Sequence, residues 1–270
     1  MTTNKGTGPG VAQPPLHPAD FSIFDVNDIL DLFLLVGQSN MKGRGRINMK
    51  PKEQNYILFF HARKLAWYVG RDPLHAQGTP DLIDGDDNAG TGPGMSFAQA
   101  LVSKNRSLNI GLIPAALGGA PIDLYGKGKD LYNRSLALTR LAIESSGLKT
   151  NIKAILWLQG ESDATIERHE TYEKKLLDMI ARYRSDLKAP ELPFIACTIG
   201  SFITSSQFDH AKEVNEILLN LPEKSKQTAC IDVRDLKGHI GDKLHYDSES
   251  QVEIGRRFAS EYMKLDRSVP

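Results

Sequence analysis

Leu32-Phe33-Leu34-Leu35-Val36-Gly37-Gln38-Ser39-Asn40-Met41 is an apolar run of strand length that stops at a glycine and passes into polar residues. Four more apolar runs follow it, at 109–114, 154–158, 194–199 and 229–233. Short continuous runs without alternation suit strands buried on both faces. Helical patterns fall between them, at 96–104, 131–146, 172–187, 211–219 and 248–265; in the third, Leu176, Leu177, Ile180 and Tyr183 share one face. Strands alternating with helices predict an α/β chain: a parallel sheet, helices on both faces, and right-handed crossovers. No internal repeat interrupts the pattern.

One segment breaks the alternation. Residues 42–94 hold an expected hairpin, 56–60 then 64–69, and an Asp-rich stretch at 81–88. A calcium loop would need Glu at its twelfth position, where Gly92 or Met95 stands, so the stretch is read as a solvated turn. A connection this long is expected to form part of a substrate rim.

With 270 residues, the chain has the size of one large domain, expected over 21–270 with the insertion at 42–94. Residues 1–20 begin with a Gly-, Pro- and Thr-rich stretch and are read as a disordered tail. Lys and Arg total 33 and Asp and Glu total 33, and that balance disfavours nucleic acid or an anionic membrane surface as a partner. The two cysteines, Cys197 and Cys230, are too few for a disulfide framework and lack zinc-site spacing; both are expected as buried thiols. No run reaches the ~18–20 apolar residues of a membrane span. The start lacks the basic and apolar regions of a signal peptide, so the cytoplasm is the default compartment, with a processed exported form left open.

In open parallel sheets, sites form at the carboxyl ends of strands. Ser39 follows the first run, Gly118-Gly119 the second and Gln159-Gly160-Glu161-Ser162-Asp163 the third; Asp242-Lys243-Leu244-His245 lies just beyond the fifth. Taken singly, each suits a cap, a turn or surface decoration. Together they supply an acyl-transfer site. Serine needs a base, which His245 offers, and Asp242 three residues earlier is placed to orient the imidazole. Ser39 N–H, a Gly118 or Gly119 N–H and the Gln159 amide are candidate oxyanion donors. Two other motifs fail: Met41 stands where a Gly-x-Ser-x-Gly elbow needs glycine, and Pro121 and Asp123 stand where a phosphate loop does.

Gly37-Gln38-Ser39-Asn40-Met41 with Gly43-Arg44-Gly45 resembles the first block of the SGNH hydrolases of carbohydrate esterase family 6, a group that includes sialate O-acetylesterase-like proteins. Trp157-Leu158-Gln159-Gly160-Glu161-Ser162-Asp163 and Asp242-Lys243-Leu244-His245 resemble two later blocks. Residues 90–98 and 113–119 resemble two more, all in the same order, so the likeness spans about 32–263. It implies a flavodoxin-like three-layer α/β/α sandwich with a five-stranded parallel sheet. It implies Ser39 as nucleophile, His245 as base, Asp242 as its partner, and an oxyanion hole of Ser39, Gly118 (favoured over Gly119) and Gln159. The implied activity is O-acetyl ester hydrolysis on an acetylated carbohydrate, as in acetylxylan esterases or sialate O-acetylesterases, without metal or organic cofactor. Ala120 departs from the Thr or Ser usual after the glycine pair, and is expected to tune substrate binding.

Glu161 is read as bracing the first loop through Arg44, or else as a second partner of His245; Asp163 is read as a helix cap. Trp157 is assigned to the core, whereas Trp67, in the insertion, either packs or stacks on a sugar. Two other functions compete: a lipase or thioesterase, which would need an apolar trough, and a non-catalytic carbohydrate-binding protein on the same scaffold.

Overall fold

In a computed structural model, which describes residues 15–47, 54–75 and 89–266, the apolar run after Asp28 becomes the central strand β1 (Ile29–Gly37). Side chains alternate across a strand. Leu30, Leu32, Leu34 and Val36 accordingly enter one core, while Phe33 and Leu35 enter another. A strand apolar at both parities must be covered on both sides, and this one is.

The remaining strands are β2 (Ile57–His61), β3 (Ala66–Val69), β4 (Asn109–Pro114), β5 (Lys149–Leu158), β6 (Phe194–Cys197) and β7 (Thr228–Ile231). The helices are α1 (Ser39–Lys42), α2 (Pro93–Lys104), α3 (Asp130–Ser146), α4 (His169–Asp186), α5 (Ala211–Leu219), α6 (Leu221–Lys224) and α7 (Ser248–Leu265). Helices α3, α4 and α5 cover the first face with Leu138, Leu176, Met179, Val214 and Leu218. Helices α2 and α7 cover the second, where Phe33 meets Phe97 and Tyr262 edge-on, with ring centroids 4.9 and 5.1 Å apart.

The sheet runs β3-β2-β4-β1-β5-β6-β7. The five strands read from the sequence, β4-β1-β5-β6-β7, are parallel and lie in the flavodoxin order. The five-strand expectation needs correction: among the described residues the sheet has seven strands and is mixed. The hairpin of the insertion does not stand apart. Its β2 adds in parallel to β4, with Leu58 opposite Gly111, and β3 closes antiparallel on β2. Pairing satisfies the backbone groups that β4 would otherwise present as an edge. Gly111 leaves room for the Trp67 ring, which a Cβ there would approach within 2.8 Å.

Trp67 is therefore core: it is 4% exposed and its indole N–H donates to Ala142 O at 3.0 Å. Trp157 is core as well. Part of the expected tail also joins the sheet, since Val69 N–H donates to His17 O and Ala19 N–H to Trp67 O. Residues 1–14 and the Asp-rich stretch lie outside the described residues. Cys197 is buried and Cys230 only half-buried, both as free thiols. Among the described residues, no helix is long and apolar enough to cross a membrane.

Candidate active site

Chain order reverses around β1, which opens a crevice at its carboxyl end. Gly37 makes the exit from β1 possible. Its φ is +138°, and a Cβ would stand 2.1 Å from Leu158 O. Only glycine lets the chain press against β5 and turn there. Gln38 N–H then donates to Leu158 O at 3.0 Å, and α1 begins at Ser39.

The partner of Ser39 arrives from the loop between β7 and α7. Ser39 Oγ lies 2.9 Å from His245 Nε2, and His245 Nδ1 lies 2.6 Å from Asp242 Oδ2. The acid is aimed by a local turn: Asp242 Oδ1 accepts the N–H groups of Leu244 and His245, each at 2.9 Å, with Lys243 at φ +55°. That turn leaves Oδ2 for the imidazole. The loop is closed behind it by Ile240 N–H donating to His245 O at 3.0 Å.

Residues 159–163 lie behind these groups. Gln159 is a correction to the sequence reading. It is fully buried and does not line the cleft. Its Nε2 donates to Ala120 O at 3.1 Å and to Asp163 Oδ2 at 2.5 Å, so the amide proposed as an oxyanion donor is already engaged. Asp163 is not a cap; Oδ2 also accepts Ile122 N–H at 2.8 Å. Glu161 reaches neither Arg44 nor His245. Its Oε1 accepts Asn40 Nδ2 at 2.5 Å. Asn40 in turn donates to Leu244 O at 3.1 Å and accepts Tyr246 N–H at 3.1 Å. Nothing in the sequence pattern singled out Asn40 except its place beside Ser39.

Ser39 and His245 stand in an open cleft of about 500 Å³. Gly119, Arg44 and Pro121 line it, and Arg168, Gln207 and Phe208 contribute where no motif pointed. Gly119, not the favoured Gly118, faces the cleft; its φ is +68°, and no atom lies within 4 Å of where a Cβ would stand. Ala120 is 1% exposed with its methyl in the core, so the missing hydroxyl is not a cleft contact. Phe208, rather than Trp67, is the aromatic residue of the cleft; it lies beyond β6, the one predicted strand whose end offered no polar signal.

Burial pushes the His245 imidazole below the usual histidine range; Asp242 opposes this and Arg44 adds to it. Burial acts upward on Asp242, but the hydrogen bonds from His245 and Leu244 outweigh it and the carboxyl is held low. The pair is set as neutral imidazole beside carboxylate, able to take a proton from Ser39 Oγ. Burial raises the carboxyls of Glu161 and Asp163. Among the described residues, no cluster of three or more His, Cys, Asp or Glu side chains is arranged for a metal ion.

Residues 29–264 match the family model described as carbohydrate esterase, sialic acid-specific acetylesterase. A probable carbohydrate esterase of Arabidopsis thaliana is 34% identical over 251 residues, covering 86% of this chain and 90% of the relative. The crystal structure of that Arabidopsis protein superposes with a TM-score of 0.74 over 89% of this chain and 99% of its own. The structure of NanS shares the fold at 15% identity, with a TM-score of 0.70 over 91% of this chain and 99% of that one. A carbohydrate acetylesterase from Xanthomonas citri shares it at 17% identity and a TM-score of 0.60, over 88% of this chain and 57% of that one. With a family model matched over residues 29–264 and a relative 34% identical over most of its length, the chain belongs to the carbohydrate esterase family of sialic acid-specific acetylesterases and is a carboxylic ester hydrolase.

Proposed function

We propose that this enzyme removes O-acetyl groups from a carbohydrate through an acetyl-serine intermediate. Ser39 Oγ attacks the acetyl carbonyl while His245 Nε2 takes its proton, and Asp242 stabilises the imidazolium. The oxyanion is received by the N–H groups of Ser39 and Gly119. His245 then protonates the departing sugar oxygen. Water, deprotonated by the same imidazole, releases acetate. The observation that carries this reading is the unbroken relay of 2.9 and 2.6 Å from Ser39 to Asp242 at the wall of an open cleft. Arg44, Arg168, Gln207 and Ser162 bring polar groups to that lining that can meet sugar hydroxyls, and Phe208 adds an apolar face for a ring.

Acetate release from acetylated xylan, acetylated sialic acid and p-nitrophenyl acetate tests it. Release from at least one of the two carbohydrates is expected. Turnover confined to p-nitrophenyl esters of long acyl chains would overturn the substrate class, and no turnover of any ester would favour a binding protein.

The pH profile follows from His245, which must be neutral to act as base. kcat/KM is expected to rise as the imidazole loses its proton and to level off above its pKa. Because burial holds that pKa down, the midpoint falls below the ordinary value of about 6.5. Removing the cation in Arg44→Gln lessens the downward push, so the midpoint moves up in pH. A wild-type midpoint above 7, or a downward move in the variant, would contradict this account.

A further inference from the structure

Residues 159–163 touch two segments of the site directly and a third through Asn40, and of the five only Ser162 lines the cleft. Ser162 N–H donates to Gln38 Oε1 at 3.2 Å, beside Ser39. Gln159 and Asp163 hold Ala120 O and Ile122 N–H, which flank the segment after Gly119. Glu161 holds Asn40, and Asn40 grips the peptide on both sides of His245, at Leu244 O and Tyr246 N–H.

The chemistry of the amide makes the Glu161 contact directional. A carboxylate only accepts, so it requires the Nδ2 end of Asn40 to face it. That orientation leaves Nδ2 for Leu244 O and Oδ1 for Tyr246 N–H; the opposite one would set oxygen against two acceptors. Gln251 Nε2, donating to Asn40 O at 3.0 Å, anchors the same residue to α7. Glu161 and Asn40 are 1% and 0% exposed, so water does not compete for these bonds.

We propose that this segment is a positioning block with two separable outputs: Glu161, acting through Asn40, places the base His245, whereas Gln159 and Asp163 place the oxyanion loop at Gly119. The proposal rests on the serine-esterase reading above. Catalytic geometry tolerates only about 0.5 Å, and a displacement of ~1 Å costs on the order of a hundredfold in rate. A group that acts only by placing His245 must lose its effect once His245 is gone. A group that shapes the oxyanion pocket must keep it.

The test is a pair of double-mutant cycles on the full chain with p-nitrophenyl acetate, using variants checked for cooperative thermal unfolding. Asn40→Ala is expected to lower kcat about thirtyfold in the wild-type background, with KM changed less than threefold. In the His245→Ala background its effect falls below threefold. Asp163→Ala, which removes the acceptor of both Ile122 N–H and Gln159 Nε2, is expected to lower kcat about tenfold in both backgrounds. Glu161→Gln keeps an acceptor for Asn40 and is expected to recover most of what Glu161→Ala loses. Where Asn40→Ala does not fold, Glu161→Ala takes its place in the cycle. Equal factors for Asn40→Ala in the two backgrounds would overturn the proposal, as would disappearance of the Asp163→Ala effect without His245. Full activity in Ser39→Ala would defeat the underlying mechanism instead. An inactive Ser39→Ala with additive cycles would defeat the positioning claim alone.

Discussion

Alanine at position 39 is expected to lower kcat for acetyl ester hydrolysis by about 10⁵–10⁶-fold, the order seen when a serine hydrolase loses its nucleophile. The size of the effect follows from the route that is lost. Without Ser39 Oγ there is no acetyl-serine, and His245 has no hydroxyl within 2.9 Å to deprotonate. What persists is the oxyanion pocket and binding, together worth roughly 10³–10⁴ over the uncatalysed reaction. Folding is nearly untouched. The Ser39 hydroxyl makes one net hydrogen bond, of about 1 kcal/mol, in a chain held by two large cores. Thermal unfolding measured beside initial rates separates the two effects. A fluorophosphonate adds a second readout: the wild type is expected to carry one adduct, on Ser39, and the variant none. Activity above one-hundredth of wild type in a folded Ser39→Ala protein would overturn the assignment.

Asp242→Asn is expected to lower kcat by about 10³–10⁴-fold while leaving the fold in place. Here the local turn dictates the outcome. In the wild type, Oδ1 accepts two backbone N–H groups and Oδ2 faces His245 Nδ1. An asparagine amide has one oxygen, and the two backbone donors claim it. Its NH₂ end must then face His245 Nδ1 and donate to it. The imidazole is driven into the tautomer with its proton on Nε2, which cannot accept one from Ser39. The ¹⁵N chemical shifts of the His245 ring report this directly: Nδ1 becomes the unprotonated nitrogen. A variant with wild-type tautomer and rate would show that Asp242 is dispensable. Because Asp242 is half-exposed and its turn is kept, the thermal midpoint is expected to move little.

Much of this design is local in sequence and therefore legible there. The parallel core follows from apolar runs whose alternate residues feed two cores, as in Leu34 against Phe33. The helices 211–219 and 248–265 end where their periodicity ends. Asp242 and His245 are three residues apart inside one turn, so the bond between them needs nothing from the rest of the molecule. Ser39 is announced by the glycine that lets β1 press on β5.

The tertiary structure decided whatever depends on partners far apart in the chain. Gln159 reads as an oxyanion donor until Ala120 O and Asp163 are seen to take both of its N–H bonds. Glu161 reads as a partner of Arg44 or His245 until Asn40, 121 residues away, is found to hold it. Trp67 was a candidate sugar platform until β2 joined β4 and closed the ring into the core, while Phe208 entered the cleft from a segment with no motif at all. The division has one physical cause. Strand and helix periods and short turns are set by neighbours in sequence, so residue type suffices to read them. A polar side chain's role is set by which donor or acceptor the fold brings against it, and only the folded chain specifies that.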